Sequence, residues 1–233
     1  MPCIEHPHLE EVSNRIVIWK FMTFEHFADL IKSGSLYFCR VGAFEDVFEG
    51  TYPIANKHLR PEIYKDGMIP NQADYDKIER VVKHDTFASC FHMNRYETAF
   101  MWNLYADRQG VAIKTTTGRL KEALNTEQQI VYLSKVYYQN YDEDFLPEGN
   151  LMYLALHKRK SFEAEKELRA LILDKDSAAL DGIKAKVDLK ELLYEVYVSP
   201  YADKSTVLSA QELIMDHGIR GVKVIASDLY TLR

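Results

Sequence analysis

Short β-branched and aromatic runs, separated by single capped helices in no regular strand–helix–strand repeat, constrain this chain more than any other feature. Arg15–Phe21 reads Arg-Ile-Val-Ile-Trp-Lys-Phe, a composition that fits a buried strand. Thr23 then makes a good N-cap, Phe24, Phe27, Leu30 and Ile31 recur at helical spacing, and Gly34 stops the helix. Ser35–Cys39 is a second strand, and Gly42–Pro53 a loop dense in aromatic and acidic residues. Further strands are predicted at Asp85–Met93, Gly110–Thr115, Gln129–Tyr138, the end of Glu165–Leu173, Leu193–Val198 and Gly221–Ile225. Helices are predicted at Gln72–His84, Glu97–Asp107, a short segment capped by Thr117, Asn150–Lys160, and Ser205–His217 closed by Gly218. A parallel nucleotide-binding sheet needs regular alternation of strand and helix, which is missing here. The expectation is one α+β domain over residues 1–233. Its sheet is mostly antiparallel, split or continuous, flanked by helices, with a helical insertion around residues 56–84.

Several function classes drop out early. The longest unbroken apolar run is Leu151–Leu156, far short of the roughly 20 residues a membrane helix needs. Met1–His6 lacks the basic start and apolar stretch of a signal peptide. Cys3, Cys39 and Cys90 are far apart and odd in number, which fits free thiols in a reducing compartment. A cytoplasmic location with no membrane partner is expected. The net charge of −6 argues against broad coating of nucleic acid, though it leaves room for a local basic groove. Glycine-rich phosphate loops, G-x-S-x-G, C-x-x-C and H-E-x-x-H are all absent. Cys3, His6 and His8 form the nearest metal-like group, but a terminal segment rarely holds a closed site, and no metal is expected.

Five features rise above this background. Glu165, Glu167 and Arg169 stand at i, i+2, i+4 before the apolar run Ala170–Leu173, so on a strand they share one face. Two carboxylates with a guanidinium suit a cleft in which Arg169 keeps one acid ionised, although a solvated charge run is the commoner meaning. Trp102 and Tyr105 stand three apart on a helix, as core packing or as a stacking wall for a planar ligand. Asp46 and Glu49 lie in the loop Phe44–Gly50, pinned by its phenylalanines or carrying chemistry. Lys20 interrupts an apolar strand, facing solvent or an anion. Ser89 precedes Cys90, Phe91 and His92 on another strand. Arg169, entering an apolar strand, is expected to need a bidentate acid, Asp46 or Glu49.

In this order, the segments resemble a bacterial and phage domain-of-unknown-function family. That family opens with a Lys-Tyr strand, followed by a Phe-Asn-Asp-Pro-Phe-Glu loop, a strand with a serine, Trp-x-x-Tyr and Trp-x-x-Glu-x-Glu-x-Arg. Here Lys20-Phe21, then Phe44, Asp46, Phe48 and Glu49, stand for the first two elements, with Glu45 and Val47 replacing the loop's Asn and Pro. Ser89, then Trp102, Tyr105 and Gly110, then Phe162, Glu165, Glu167 and Arg169, match the rest, and Val196–Pro200 with Val222–Leu229 are similar to its closing elements. More remotely, the set resembles the Arg–Ser–Glu arrangement of ADP-ribosyltransferases. Lysine stands for arginine, and a Ser-Thr-Ser strand is absent. That resemblance implies NAD as a substrate, Glu167 as the catalytic acid and Glu165 orienting the acceptor. It also implies Ser89, Lys20, Trp102, Tyr105 and Arg169 around the nucleotide, with Asp46 and Glu49 in a structural or site loop. The acceptor, protein or nucleic acid, stays open. So does a non-enzymatic module binding a nucleotide or a partner in phage defence or regulation.

Overall fold

The computed structural model describes residues 3–4, 6–65, 67, 70–178 and 181–232; Met1, Pro2 and Glu5 of the N-terminal reading lie outside the described residues. The chain opens with β1 (Cys3–Ile4) and β2 (Val17–Met22). Helix α1 (Phe24–Ser33) starts where expected: Thr23 Oγ1 accepts the His26 amide at 3.3 Å, and Gly34 turns left-handed at φ 58°. After β3 (Ser35–Arg40) and the aromatic–acidic loop come α2 (Ile54–Ile63) and α3 (Gln72–Asp85), the predicted helical stretch. Next are β4 (Thr86–Met93), α4 (Ala99–Tyr105), β5 (Val111–Thr116), α5 (Thr117–Leu124), β6 (Val131–Lys135) and β7 (Tyr137–Gln139). Then follow α6 (Met152–Leu156), β8 (His157–Arg159), a 3₁₀ turn (Lys160–Glu165), β9 (Glu167–Leu173) and β10 (Gly182–Lys186). The chain closes with α7 (Leu189–Leu192), β11 (Glu195–Val198), α8 (Lys204–Asp216) and β12 (Lys223–Ala226).

Among the described residues, ten strands join one sheet, in the order β1-β6-β9-β4-β2-β5-β11-β12, with β3 on β4 and β10 on β3. Only β1/β6 and β11/β12 run parallel in it, so the expected mostly antiparallel α+β architecture holds. The sheet forks at β4. Met93 and His92 pair with β2, whereas Phe87 and Ala88 pair with β3 on the same edge. Side-chain alternation gives the two faces different jobs. One buries Ile18, Phe87, Phe91, Ile113, Leu168 and Ala170 against α1, α5 and α8. The other carries Ala88 and Leu171 under α3 and α6, and Trp19 and Phe21 under α4.

Three expectations need correction. The helix predicted for Asn150–Lys160 ends at Leu156. His157–Arg159 pairs in parallel with Tyr137–Gln139, because His157 and Lys158 are buried groups whose partners lie on that side. The short helix after β5 is capped by Thr116, whose Oγ1 accepts the Arg119 amide, rather than by Thr117; the Thr117 hydroxyl donates to the Ser13 carbonyl instead. Strand β10 is an addition to the expected set: Ile183, Ala185 and Val187 alternate with Lys184 and Lys186, and the segment pairs with β3.

The helical stretch is tied down by Glu148, which is buried with Arg60. Its carboxylate accepts from Arg60 Nε at 2.8 Å, Asn56 Nδ2 at 2.8 Å, and the hydroxyls of Tyr64 and Tyr75 at 3.1 Å. The Arg60 guanidinium also lies 3.3 Å from the Tyr75 ring centroid. Glu148→Ala strands a buried guanidinium and should cost about 3–5 kcal/mol. Urea unfolding should register that loss, and proteolysis should open within α2 and α3 before the sheet; a change within ~0.5 kcal/mol would show that the network does not anchor these helices.

Candidate functional site

The alternation of β9 places Glu167 and Arg169 on the second face of the sheet. Arg169 is 1% exposed, so its guanidinium has to find acids inside the protein. Its Nη1 and Nη2 reach both oxygens of Glu49 at 2.7 and 2.9 Å, the bidentate pair expected from the sequence. Its Nε donates to Glu167 Oε2 at 2.7 Å, and Nη1 also donates to the Ala155 carbonyl. Lys158, a residue the sequence reading missed, completes the cluster. Its Nζ lies 2.8 Å from Glu165 Oε2, 2.8 Å from Glu167 Oε1 and 3.3 Å from Glu49 Oε1. All five side chains are buried.

Glu165 joins by an unexpected route. It is not on the strand but ends the 3₁₀ turn, and Lys166 between it and Glu167 adopts φ 41°, a left-handed conformation that costs a non-glycine residue about 1 kcal/mol or more. Two bonds from β4 hold this kink: His92 Nδ1 meets the Glu165 carbonyl at 2.6 Å, and the Met93 amide donates to the Lys166 carbonyl. Burial pushes the His92 pKa down, which favours the neutral imidazole. Nδ1 then carries the proton, since a carbonyl only accepts. Tyr138 adds a further support, its hydroxyl accepting the Glu167 amide at 2.8 Å.

The cluster holds three carboxylates and two cations. Burial, and then a hydrogen bond shared with Glu167, push Glu165 up to about 7. Burial also works to raise Glu167, but Arg169, the hydrogen bond from Glu165 and Lys158 overcome it and hold that carboxyl far below the usual range. Burial opposes charge on Lys158 as well, and Glu167 and Glu49 outweigh it. With a proton on Glu165, the two anions Glu49 and Glu167 balance the two cations Lys158 and Arg169.

The other predicted residues divide around this centre. Tyr105 borders it: burial of its hydroxyl and then the adjacent Glu165 raise its pKa, while the residue as a whole stays 44% exposed. Asp46 stands one step away, paired with Arg159 at 2.9 Å, whose guanidinium lies over Phe48. Trp102 is core instead, packed edge-on against Phe21 with its Nε1 on Glu97. Ser89 and Lys20 leave their strands on the opposite face from Glu167. The Ser89 hydroxyl is buried without a partner, and the Lys20 ammonium lies over Phe91 and donates to the Cys90 carbonyl in the fork. The sequence held a signal for Lys158: the basic run His157-Lys158-Arg159 follows an apolar run directly, as a strand entering an acidic cluster would.

Cavities of about 570 and 390 Å³ are lined by other segments, the first by residues of the N-terminal stretch with Lys121, Glu122 and Asn125, the second by residues of α3 with Asp174–Asp176. Among the described residues no group of His, Cys, Asp and Glu is arranged to hold a metal ion, and no helix is long and apolar enough to cross a membrane.

No protein-family model matches the sequence, and no curated protein matches it, so the family resemblance rests on the motifs alone. Among solved structures, the chain is similar to "Thermus sp. 2.9 DarT in complex with ADP-ribosylated ssDNA", at 8% identity and a TM-score of 0.40, over 94% of this chain and 97% of that one. A likeness this distant leaves function to be argued from the site itself.

Two outcomes follow from the cluster. Arg169→Met strands Glu49 and Glu167 inside the protein and should cost about 3–5 kcal/mol in denaturant unfolding; a loss within ~0.5 kcal/mol would show that the ion pairs are energetically idle. Glu165 binds its proton more tightly in the folded chain, about 7 against an ordinary 4.5. Its contribution is therefore fully present below pH 4.5 and is lost as pH rises through about 7. Glu167 has the opposite sign, losing its contribution as pH falls below the ordinary range. Glu165→Gln should gain on the native protein by up to about 3 kcal/mol between pH 4.5 and 7.5, measured as the difference of their unfolding free energies. A flat difference across that range would place the proton elsewhere.

Proposed function

We propose that this chain is an ADP-ribosyltransferase-like enzyme acting on NAD, with Glu165 as the working carboxylate. The observation that carries the reading is the state of Glu165: a carboxyl poised near neutrality in a buried ion cluster, bordered by the hydroxyl of the part-exposed Tyr105. Displaced catalytic pKa values of this kind mark acid–base sites. Cleavage of the bond between nicotinamide and ribose puts positive charge on the ribose, and an ionised carboxylate beside it lowers the barrier. Glu167 is less suited to that task, because both its oxygens already face cations at 2.8 and 2.7 Å. Its role in this reading is to hold Arg169 and Lys158 in the cluster beneath the turn that carries Glu165. The deprotonated Glu165 then serves the developing charge and takes the proton of the acceptor, while the Tyr105 ring offers a face for the planar nicotinamide.

A second reading, a non-enzymatic module that binds a nucleotide or a protein partner, is favoured by one feature. Glu49 and Glu167 are each saturated by cations, and the closed cluster resembles a structural core more than a cleft.

Nicotinamide release from NAD, with and without protein and nucleic-acid acceptors, separates the two. Glu165→Gln should cut release by ~10²-fold or more with nucleotide affinity nearly unchanged, as for loss of one transition-state partner. Tyr105→Ala should weaken NAD binding in a thermal-shift titration. Native protein that releases no nicotinamide and shows no thermal shift with NAD or ADP-ribose sinks the enzyme reading; a shift without release selects the binding module.

A further inference from the structure

The charge count of the cluster has a mechanical counterpart in the turn that carries Glu165. We propose that Glu165 is a proton-operated latch: protonated, it keeps the turn Lys160–Glu165 closed over a charge-balanced cluster, and deprotonated, it turns outward past Tyr105 and exposes the site. This proposal concerns regulation of the site described above and rests on that reading only for what the opening admits.

The geometry supplies each part. Three carboxylates surround one ammonium at 2.8, 2.8 and 3.3 Å, and the second cation, Arg169, is taken up by Glu49 and Glu167. Every titratable or charged group that faces Glu165 can be named. Lys158 approaches from β8, Glu167 and behind it Arg169 from β9, Glu49 from the loop before α2, Tyr105 from α4, Tyr138 from β7 and neutral His92 from β4. Among the described residues no third cation is buried in that set; Lys166, the next residue in the chain, is exposed. When the Glu165 proton leaves to solvent, one buried negative charge is left uncompensated, and an unbalanced buried charge is relieved by reaching water.

Glu165 is also the acid with the fewest ion pairs. Glu49 and Glu167 each have both oxygens in ion pairs, whereas Glu165 has only Oε2 in one. It ends a short 3₁₀ turn whose Lys160, Ser161, Glu163 and Ala164 are exposed. The residue after it, Lys166, is the described non-glycine residue with positive φ, so release of the turn also relieves a strained backbone. On the far side of that hinge the Met93–Lys166 hydrogen bond keeps β9 in register, which confines the movement to the turn. The carboxyl's elevation to about 7 puts the transition at neutral pH.

Hydrogen–deuterium exchange on the full chain at pH 6 and pH 8, corrected for intrinsic rates, tests the latch. The peptide covering 159–167 should lose protection by at least about tenfold at the higher pH, while α2, α3 and the β4–β9 ladder stay unchanged. Glu165→Gln, which keeps the neutral shape, should show the protected state at both values. Glu49→Gln removes one charge from the cluster, so an ionised Glu165 is balanced by Lys158 and Arg169; the carboxyl should titrate at lower pH and the turn should stay protected at both values. Carbon-13 NMR of the glutamate carboxyls follows the same midpoint in the native protein, so a variant that fails to fold leaves the titration decisive. Equal protection at both pH values, or a transition that persists in Glu165→Gln, overturns the proposal. None of these measurements uses NAD: a chain that cleaves no NAD still opens or stays shut, and an active chain with a pH-independent turn loses the latch and keeps its chemistry.

Discussion

A guanidinium removed from water must be met by carboxylates, and in this protein that requirement joins segments that are far apart in sequence. Arg169 sits in the middle of β9, between β4 and β6. Its two pairs draw Glu49 in from the loop after β3 and fix Glu167 on the same strand. The hydrogen bond to the Ala155 carbonyl stops α6 over the same spot, and Lys158 follows three residues later. Without the arginine the loop loses its bidentate anchor on the sheet, and the short β7–β8 pair keeps only Tyr138 and Lys158 on Glu167. A cluster of this kind adds little net stability over a hydrophobic one of equal volume. Its effect is to specify which segments meet.

The balance of charge also decides which acid is available for chemistry. Two carboxylates are consumed by two cations, and the third, Glu165, is left with a proton whose affinity is set by burial and by its neighbour Glu167. That acid lies at the end of an irregular turn, where backbone strain at Lys166 and a histidine bond from β4 hold it. The same arrangement therefore separates a rigid part, built on a central strand, from a responsive part at its edge. Functional groups placed on such an edge respond to pH without loosening the core beneath them.

The remainder of the molecule isolates this centre. On the far face, Phe87, Phe91, Leu168 and Ala170 pack under three helices, so the strand that carries the charges is held by apolar contacts on its other side. Lys20 illustrates how strictly the faces are divided. It lies two strands from Arg169 in the sheet order, yet it points into the other layer and closes the fork at β4 by binding the Cys90 carbonyl. Burial pushes its amine pKa down, and the Cys90 thiol is pushed up to about 12 by burial and then by Glu167.

Local sequence determined what depends on local physics. The caps at Thr23 and Gly34, the strands rich in β-branched residues, the helical stretch before β4 and the irregular order of elements all follow from propensity and periodicity, and they suffice for an antiparallel α+β fold. The pairing of Arg169 with Glu49 was also legible, because a buried arginine has few solutions and an acidic loop was at hand. Other features depended on which face of which strand meets which segment. Alternation within a strand is readable, but the assignment of its two faces is made by neighbours distant in sequence. That assignment put Ser89 and Lys20 away from the acids and Trp102 into the core. The break at Leu156 likewise required knowing that three carboxylates wait beside β8, since the apolar run by itself favours a longer helix. Only the tertiary structure brings Lys158 among Glu49, Glu165 and Glu167, because the energy that places a buried charge comes from partners the chain meets after folding.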